Sequence, residues 1–141
     1  MADQTIPQSA AAMSIAASAL RAQQQRMRVI AENIANSDST AQVAGGDPYR
    51  RQAPVFETTV VNGGGNGVKM AKVKPDQRAF KLEYQPGNPA ANAQGYVKMP
   101  NVDTLIESLD MREAQRAYEA NLNVIETARS MERGTLDLIK R

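Results

Sequence analysis

Three short stretches carry residues whose types and spacing could do chemistry. PYRRQ (48–52) sets Tyr49 beside Arg50 and Arg51, an aromatic and two guanidiniums that could stack on a nucleic-acid base. NGGGNG (62–67) is glycine-rich enough to suggest a phosphate-cradling loop. Glu107 and Asp110 form a carboxylate pair three residues apart, the raw material of general acid and base catalysis. Each has a plainer reading. A phosphate loop needs a Lys-Ser/Thr pair and a helix after the glycines, whereas VKMAKVKP follows here, so the tract reads as a turn. Carboxylates at a helical i,i+3 spacing on a polar face are normally solvated, and catalysis needs a shielded, pKa-shifted pair in a pocket. The arginines lack the basic stripe that marks a nucleic-acid footprint, because 17 Lys and Arg alternate with 15 Asp and Glu for a net charge of +2. A bidentate partner for carboxylates is the better role for such guanidiniums, and Arg50 and Arg51 are expected to make polar contacts between subunits.

The composition removes most of the remaining enzyme classes. There is no cysteine and no histidine, hence no thiolate nucleophile, no disulfide, and neither the commonest metal ligand nor the usual base at neutral pH. The sequence predicts no catalytic residue, no cofactor and no metal site. Of the 141 residues only four are Tyr and two Phe, with no Trp, so large core anchors are scarce and long helices meeting along seams are favoured over a filled globule. Nothing approaches the roughly 20 apolar residues that span a bilayer. AAAMSIAASAL (10–20) has the length of a signal-peptide core, but the preceding MADQTIPQS carries an acid and no Lys or Arg, where a secretory signal wants positive charge. If the protein is exported, a route without a cleaved signal peptide is expected.

The elements that must position these residues fall into three segments, 1–40, 41–99 and 100–141. In the first, Met13, Leu20, Met27 and Ile34 recur every seven residues, with Ala16, Gln23 and Ile30 interleaved, which predicts an amphipathic helix over 9–36 with a coiled-coil seam. The polar run Asn36 to Thr40 ends it by competing for backbone hydrogen bonds. The middle segment predicts a hairpin, with 53–61 and 67–74 flanking the glycine turn. AFKLEY (79–84) predicts a further strand with Phe80, Leu82 and Tyr84 on a half-buried face, giving a small three-stranded sheet that is marginal unless it packs on something. From Asn101 to Ile139 the helical period returns. Asn101 is the expected N-cap, Thr104 with Glu107 an expected capping box, and Pro100 an expected staple against Leu105. The apolar stripe runs through Ala114, Ala117, Tyr118, Asn121, Val124, Ile125, Ala128, Met131, Leu138 and Ile139. Gly134 is expected to weaken the last turns.

The predicted fold class is α+β: two long terminal helices pairing as an antiparallel coiled coil, with a small central β-rich unit. Alternate seam positions are Ala, Gln and Asn, so the isolated helix pair should be weak and should need neighbours. The expected helix and subunit interface comprises Met13, Leu20, Met27, Ile30 and Ile34 on the first helix. On the second it comprises Ala117, Tyr118, Val124, Ile125, Ala128, Met131 and Leu138. Residue types alone leave two functional readings open, a structural assembly subunit or a helical adaptor or export chaperone that takes a partner helix in its groove.

Four stretches carry a resemblance that extends over nearly the whole sequence: SALRAQQQRMRVIAENIAN (18–36), GGDPYRRQAPVF (45–56), YQPGNPAANAQGYVKMPNVD (84–103) and AYEANLNVIETARSM (117–131). With them the sequence closely resembles the bacterial flagellar rod and hook axial protein family, and within it the basal-body proteins of the proximal rod. The third stretch is the most specific. The resemblance implies a structural subunit of the hollow rod, located in the flagellar basal body across the periplasmic space and exported through the flagellar type III apparatus. The partners it implies are the rod proteins FlgB, FlgF and FlgG, the adaptor FliE, the MS-ring protein FliF and the export apparatus, with no nucleic acid and no direct membrane span. It also implies that the terminal helices form an inner layer and the β-rich segment an outer one.

Overall fold

The computed structural model describes residues 8–141, so the first seven positions of the expected 1–40 segment lie outside the described residues. The elements are α1 (Gln8–Ala35), β1 (Gln52–Val60), β2 (Asn66–Pro75), β3 (Lys81–Tyr84), β4 (Tyr96–Met99) and α2 (Thr104–Ile139). This is the α+β arrangement of two long terminal helices around a small β region. No helix among the described residues is long and apolar enough to cross a membrane. The contacts divide the protein into two compact units, and both helices and the hairpin contribute residues to each.

Unit 1 gathers the described residues up to Arg26 with Phe56–Ala71 and Glu113–Arg141. Here α1 and α2 run antiparallel: Ser9 Oγ donates to Glu132 Oε1 at 2.8 Å, and Arg26 pairs with Glu113 at 3.6 Å. The buried apolar residues of this unit are all alanines, Ala16, Ala22, Ala114 and Ala128, so little apolar area leaves water along the helix pair. The glycine tract forms the expected hairpin turn between β1 and β2. Gly63 (φ 105°) and Gly64 (φ 78°) occupy the left-handed region, where a Cβ is penalised. The hairpin is seated on α1 by one hydroxyl: Ser18 Oγ accepts from Val68 N at 3.1 Å and donates to the Ile15 carbonyl at 2.6 Å. Gly65 and Gly67 permit this approach. A Cβ on Gly65 would sit 2.7 Å from Ile15 Cδ1, and one on Gly67 would collide with Ser18 Oγ and Val61 Cγ1.

Unit 2 holds Met27–Val55 and Lys72–Arg112. β3 and β4 pair antiparallel with Leu82 opposite Lys98 and Tyr84 opposite Tyr96. This corrects two expectations. There is no three-stranded sheet among the described residues; β1–β2 and β3–β4 are separate two-stranded sheets. Nor is the Leu82 and Tyr84 face half-buried, for these side chains are 62% and 66% exposed. The register explains it: Val97 and Met99 of β4 turn inward onto Ala90, Ala41 and Ala91, and side chains alternate faces, so the opposite face of the pair is left outside. There Tyr84 and Tyr96 meet edge to face, with ring centroids 5.3 Å apart.

From Met99 to Val102 every residue is buried, and α2 starts at Thr104. The cap is Asp103 rather than Asn101. Its Oδ1 accepts from Leu105 N at 3.0 Å and Ile106 N at 3.3 Å, and its carbonyl takes the first helical bond from Glu107 N. Asn101 and Glu107 are engaged elsewhere, and Leu105 is 69% exposed, so it does not staple to Pro100. The α2 helix runs unbroken through Gly134, whose Cβ position is open space. The tight seat at Gly67 generates a test: Gly67→Ala should lower unfolding stability by about 1–3 kcal/mol through overpacking against Ser18, measured by chemical denaturation.

Candidate functional site

Two features stand out: a buried polar knot in unit 2 and an uncovered apolar ridge on the α2 segment of unit 1. The knot is centred on Asn33, in the last turns of α1, which has no exposed surface. Its Oδ1 accepts from Gln52 N at 2.9 Å and from the Tyr49 hydroxyl at 2.8 Å. Its Nδ2 donates to the Gln52 carbonyl at 2.8 Å and to Glu107 Oε2 at 3.2 Å. All four hydrogen-bonding positions of the amide are therefore filled. Asn33 joins the end of α1 to the start of β1 and the first turn of α2.

Arg51 closes the knot from the other side. Its Nε donates to Glu107 Oε1, and its terminal nitrogens reach Asp76 Oδ2 at 3.5 Å and Asp110 Oδ2 at 3.9 Å. Its backbone N–H donates to Asn101 Oδ1 at 2.8 Å, while Asn101 Nδ2 donates to the carbonyls of Asp76 and Arg78, both at 3.0 Å. Arg50 Nη1 donates to the same two carbonyls at 2.8 and 3.0 Å, and its guanidinium lies 4.1 Å over the Phe80 ring. Both arginines, expected to reach across a subunit boundary, are thus engaged with partners inside the same molecule. Glu107 does correct an expectation: it is fully buried, not solvated on a polar face. A lone carboxylate at i,i+3 spacing from another gives no sequence signal for that. The nearest clue is Asn33, a polar residue three positions beyond the seam residue Ile30.

The electrostatics follow from the same contacts. Asp76 is held down at about 2, against 3.8 for the free side chain, first by the hydrogen bond from the Arg78 side chain, then by the Arg78 backbone, with the charges of Arg78 and Arg51 adding and burial opposing. The Tyr49 phenol is pushed up by burial first, then by the charges of Glu32 and Glu107. At the surface Lys98 donates to Asp47 at 2.9 Å and lowers that carboxyl. Every side chain at the centre of the knot is paired, so the arrangement can fasten three elements but presents no free base or nucleophile. Among the described residues no group of three or more His, Cys, Asp or Glu could hold a metal ion.

The expected interface residues fall into three environments. Ile30 and Ala128 are buried. Met13, Leu20, Met27, Ile34, Ala117, Tyr118 and Ile125 are half-buried. Val124, Met131 and Leu138 are 45%, 66% and 72% exposed. On α1 the residues that bond to α2 include Arg26 in unit 1 and Asn33 in unit 2, each one position ahead of Met27 and Ile34. The Arg26–Glu113 pair lies at the surface, whereas Asn33 and Glu107 meet in the interior. Val124, Met131 and Leu138 repeat every seven residues along α2, which keeps them on one side of the helix. Beside the first two lies a groove of about 380 Å³ lined also by Ser9, Ala12 and Ala128.

Comparison with known proteins identifies the family. The family described as flagella basal body rod protein matches residues 13–41, and the family described as flagellar basal body rod FlgEFG protein C-terminal matches residues 93–138. The flagellar basal-body rod protein FlgC of Agrobacterium fabrum is 49% identical over 131 residues, spanning 92% of this sequence and 94% of that protein. The chain belongs to the FlgC family of flagellar basal-body rod proteins. FlgC of Escherichia coli O6:H1 is 49% identical over 127 residues (88% and 92% of the two sequences), and FlgC of Bacillus subtilis 38% over 144 residues (91% and 96%). FlgC proteins are structural rod components and not enzymes, which suits a site whose polar groups are all tied. The two matched segments hold Asn33 at one end of the knot and Asn101 with Glu107 at the other. Tyr49, Arg51 and Asp76 lie between the matches and complete it.

The knot predicts two outcomes. Glu107→Ala leaves the Arg51 guanidinium without its closest carboxylate and should destabilise the fold by about 3–5 kcal/mol, read from urea denaturation. In acid the sign is set by Asp76: a depressed folded pKa contributes stability that is complete above 3.8 and is lost as pH falls toward about 2. Asp76→Asn should flatten the fall in stability across that window, followed by circular dichroism.

Proposed function

We propose that this protein is a subunit of the proximal rod, polymerising with other rod proteins into the hollow shaft that transmits torque and conducts exported subunits. The observation that carries the reading is the ridge of Val124, Met131 and Leu138, three large apolar side chains left in solvent at heptad spacing on a long helix. An exposed apolar stripe of this kind marks a surface meant to be covered. Neighbouring subunits complete it in a heterologous, non-closing arrangement, the geometry that grows a helical filament. The helices, 1–40 and 100–141, form the inner layer around the channel and the 41–99 segment the outer layer. FlgB, FlgF and FlgG, the adaptor FliE and the MS-ring protein FliF are the partners. The subunit enters the periplasmic space through the flagellar type III export apparatus without losing a signal peptide. The alanine-only core of unit 1 supports folding of that unit on docking, since a weakly packed helix pair unfolds easily for passage and tightens when neighbours bury it.

The ridge can be tested in the monomer first, because its side chains are exposed and none belongs to the buried apolar set. Val124→Glu combined with Met131→Glu should leave the circular dichroism of the purified protein unchanged while abolishing rod completion in isolated basal bodies and swimming in soft agar. Intact rods and normal swimming in that strain would refute the assignment.

A further inference from the structure

The hairpin tip contains the same dipeptide twice, Asn62-Gly63 and Asn66-Gly67; both asparagines are exposed, but Gly63 is half-buried in the turn whereas Gly67 is buried in β2. From this contrast we infer that Asn62 is a site of spontaneous deamidation and isomerisation, while Asn66 is protected. An asparagine followed by glycine is open to attack on its own side-chain amide, because no Cβ shields the next backbone nitrogen. The nitrogen of Gly63 forms a bond to Cγ of Asn62, and the bond from Cγ to Nδ2 breaks to release ammonia, leaving a five-membered imide. Water then opens the ring at either carbonyl, giving aspartate or isoaspartate. No oxidant, reductant or enzyme enters the balance.

Three observations favour Asn62. It lies in the turn beyond the end of β1, outside either strand. Around it the tip is held by Val61 N to the Gly65 carbonyl at 2.9 Å and Gly64 N to the Val61 carbonyl at 3.1 Å. The Gly63 nitrogen takes part in neither bond and stays available as nucleophile. Asn66 opens β2, and the Gly67 that would supply its nucleophile is buried against Ser18 and Val61. Ring closure there requires the strand to leave its seat, a local opening that slows the reaction.

The product changes the charge of a defined place. Asn62 lines a cleft of about 510 Å³ in unit 1 that also includes Arg21 and Lys69, both exposed. Neither has an acidic partner within 4 Å among the described residues. A carboxylate at position 62 brings negative charge into that basic cleft, and the isoaspartate form also lengthens the backbone of the turn. The hairpin tip therefore carries a slow, irreversible chemical change set by the age of the molecule.

Peptide mapping by mass spectrometry of the purified full-length protein, incubated in neutral buffer and sampled over days, tests this directly. Asn62 should convert about tenfold or more faster than Asn66, and in urea the two sites should convert at similar rates. Asn62→Gln should remove the faster conversion and leave the slower one. Equal rates in the folded protein, faster loss at Asn66, or a rate difference that persists in urea would overturn the inference.

Discussion

A carboxylate with no exposed surface is tolerated in a protein interior only when its oxygens are matched, and Glu107 is matched by Arg51 on one oxygen and Asn33 on the other. The rest of unit 2 depends on that contact. It ties the end of α1, the entry to β1 and the first turn of α2 at one point. It frees Asp103 to cap α2, and it leaves Asn101 to hold the backbone at Arg51, Asp76 and Arg78. A buried polar network in which every member is satisfied adds specificity that an apolar patch of the same size lacks, since a shifted register strands a charge or an amide.

The two units solve the burial problem differently. Unit 2 combines the knot with Val29, Ile30, Val97, Met99 and Val102 as buried apolar residues, whereas among the described residues unit 1 buries only alanines in that class. Short side chains let helices approach closely but withdraw little surface from water. Unit 1 makes up the difference with close seating, visible in Ser18 beneath the hairpin and in the glycines that admit it. The large apolar residues Met131 and Leu138 of this unit are exposed.

The same economy accounts for the chemistry that is missing. With every strong donor and acceptor of the knot engaged, the charged residues serve as fasteners. Arg50 stacks on Phe80 and bonds two carbonyls, and Arg51 bridges three carboxylates. Guanidinium geometry suits that work because its donors are fixed in one plane.

Periodicity and turn chemistry alone determined the two terminal helices and the hairpin at the glycine tract. These are local properties: a period of 3.6 or 2 and the demand of a positive φ are written in consecutive residues. Tertiary structure decided that Glu107 is interior, that Arg50 and Arg51 find partners within the molecule, and that Asp103 rather than Asn101 caps α2. It also decided that the strands form two separate pairs with Leu82 and Tyr84 outside. Most of these turn on partners far apart in sequence, such as Asn33 with Glu107, 74 positions away, or Arg51 with Asn101, 50 positions away. A carboxylate beside a helix start reads the same in sequence whether water or an arginine lies beyond it, and only the returning backbone brings the arginine.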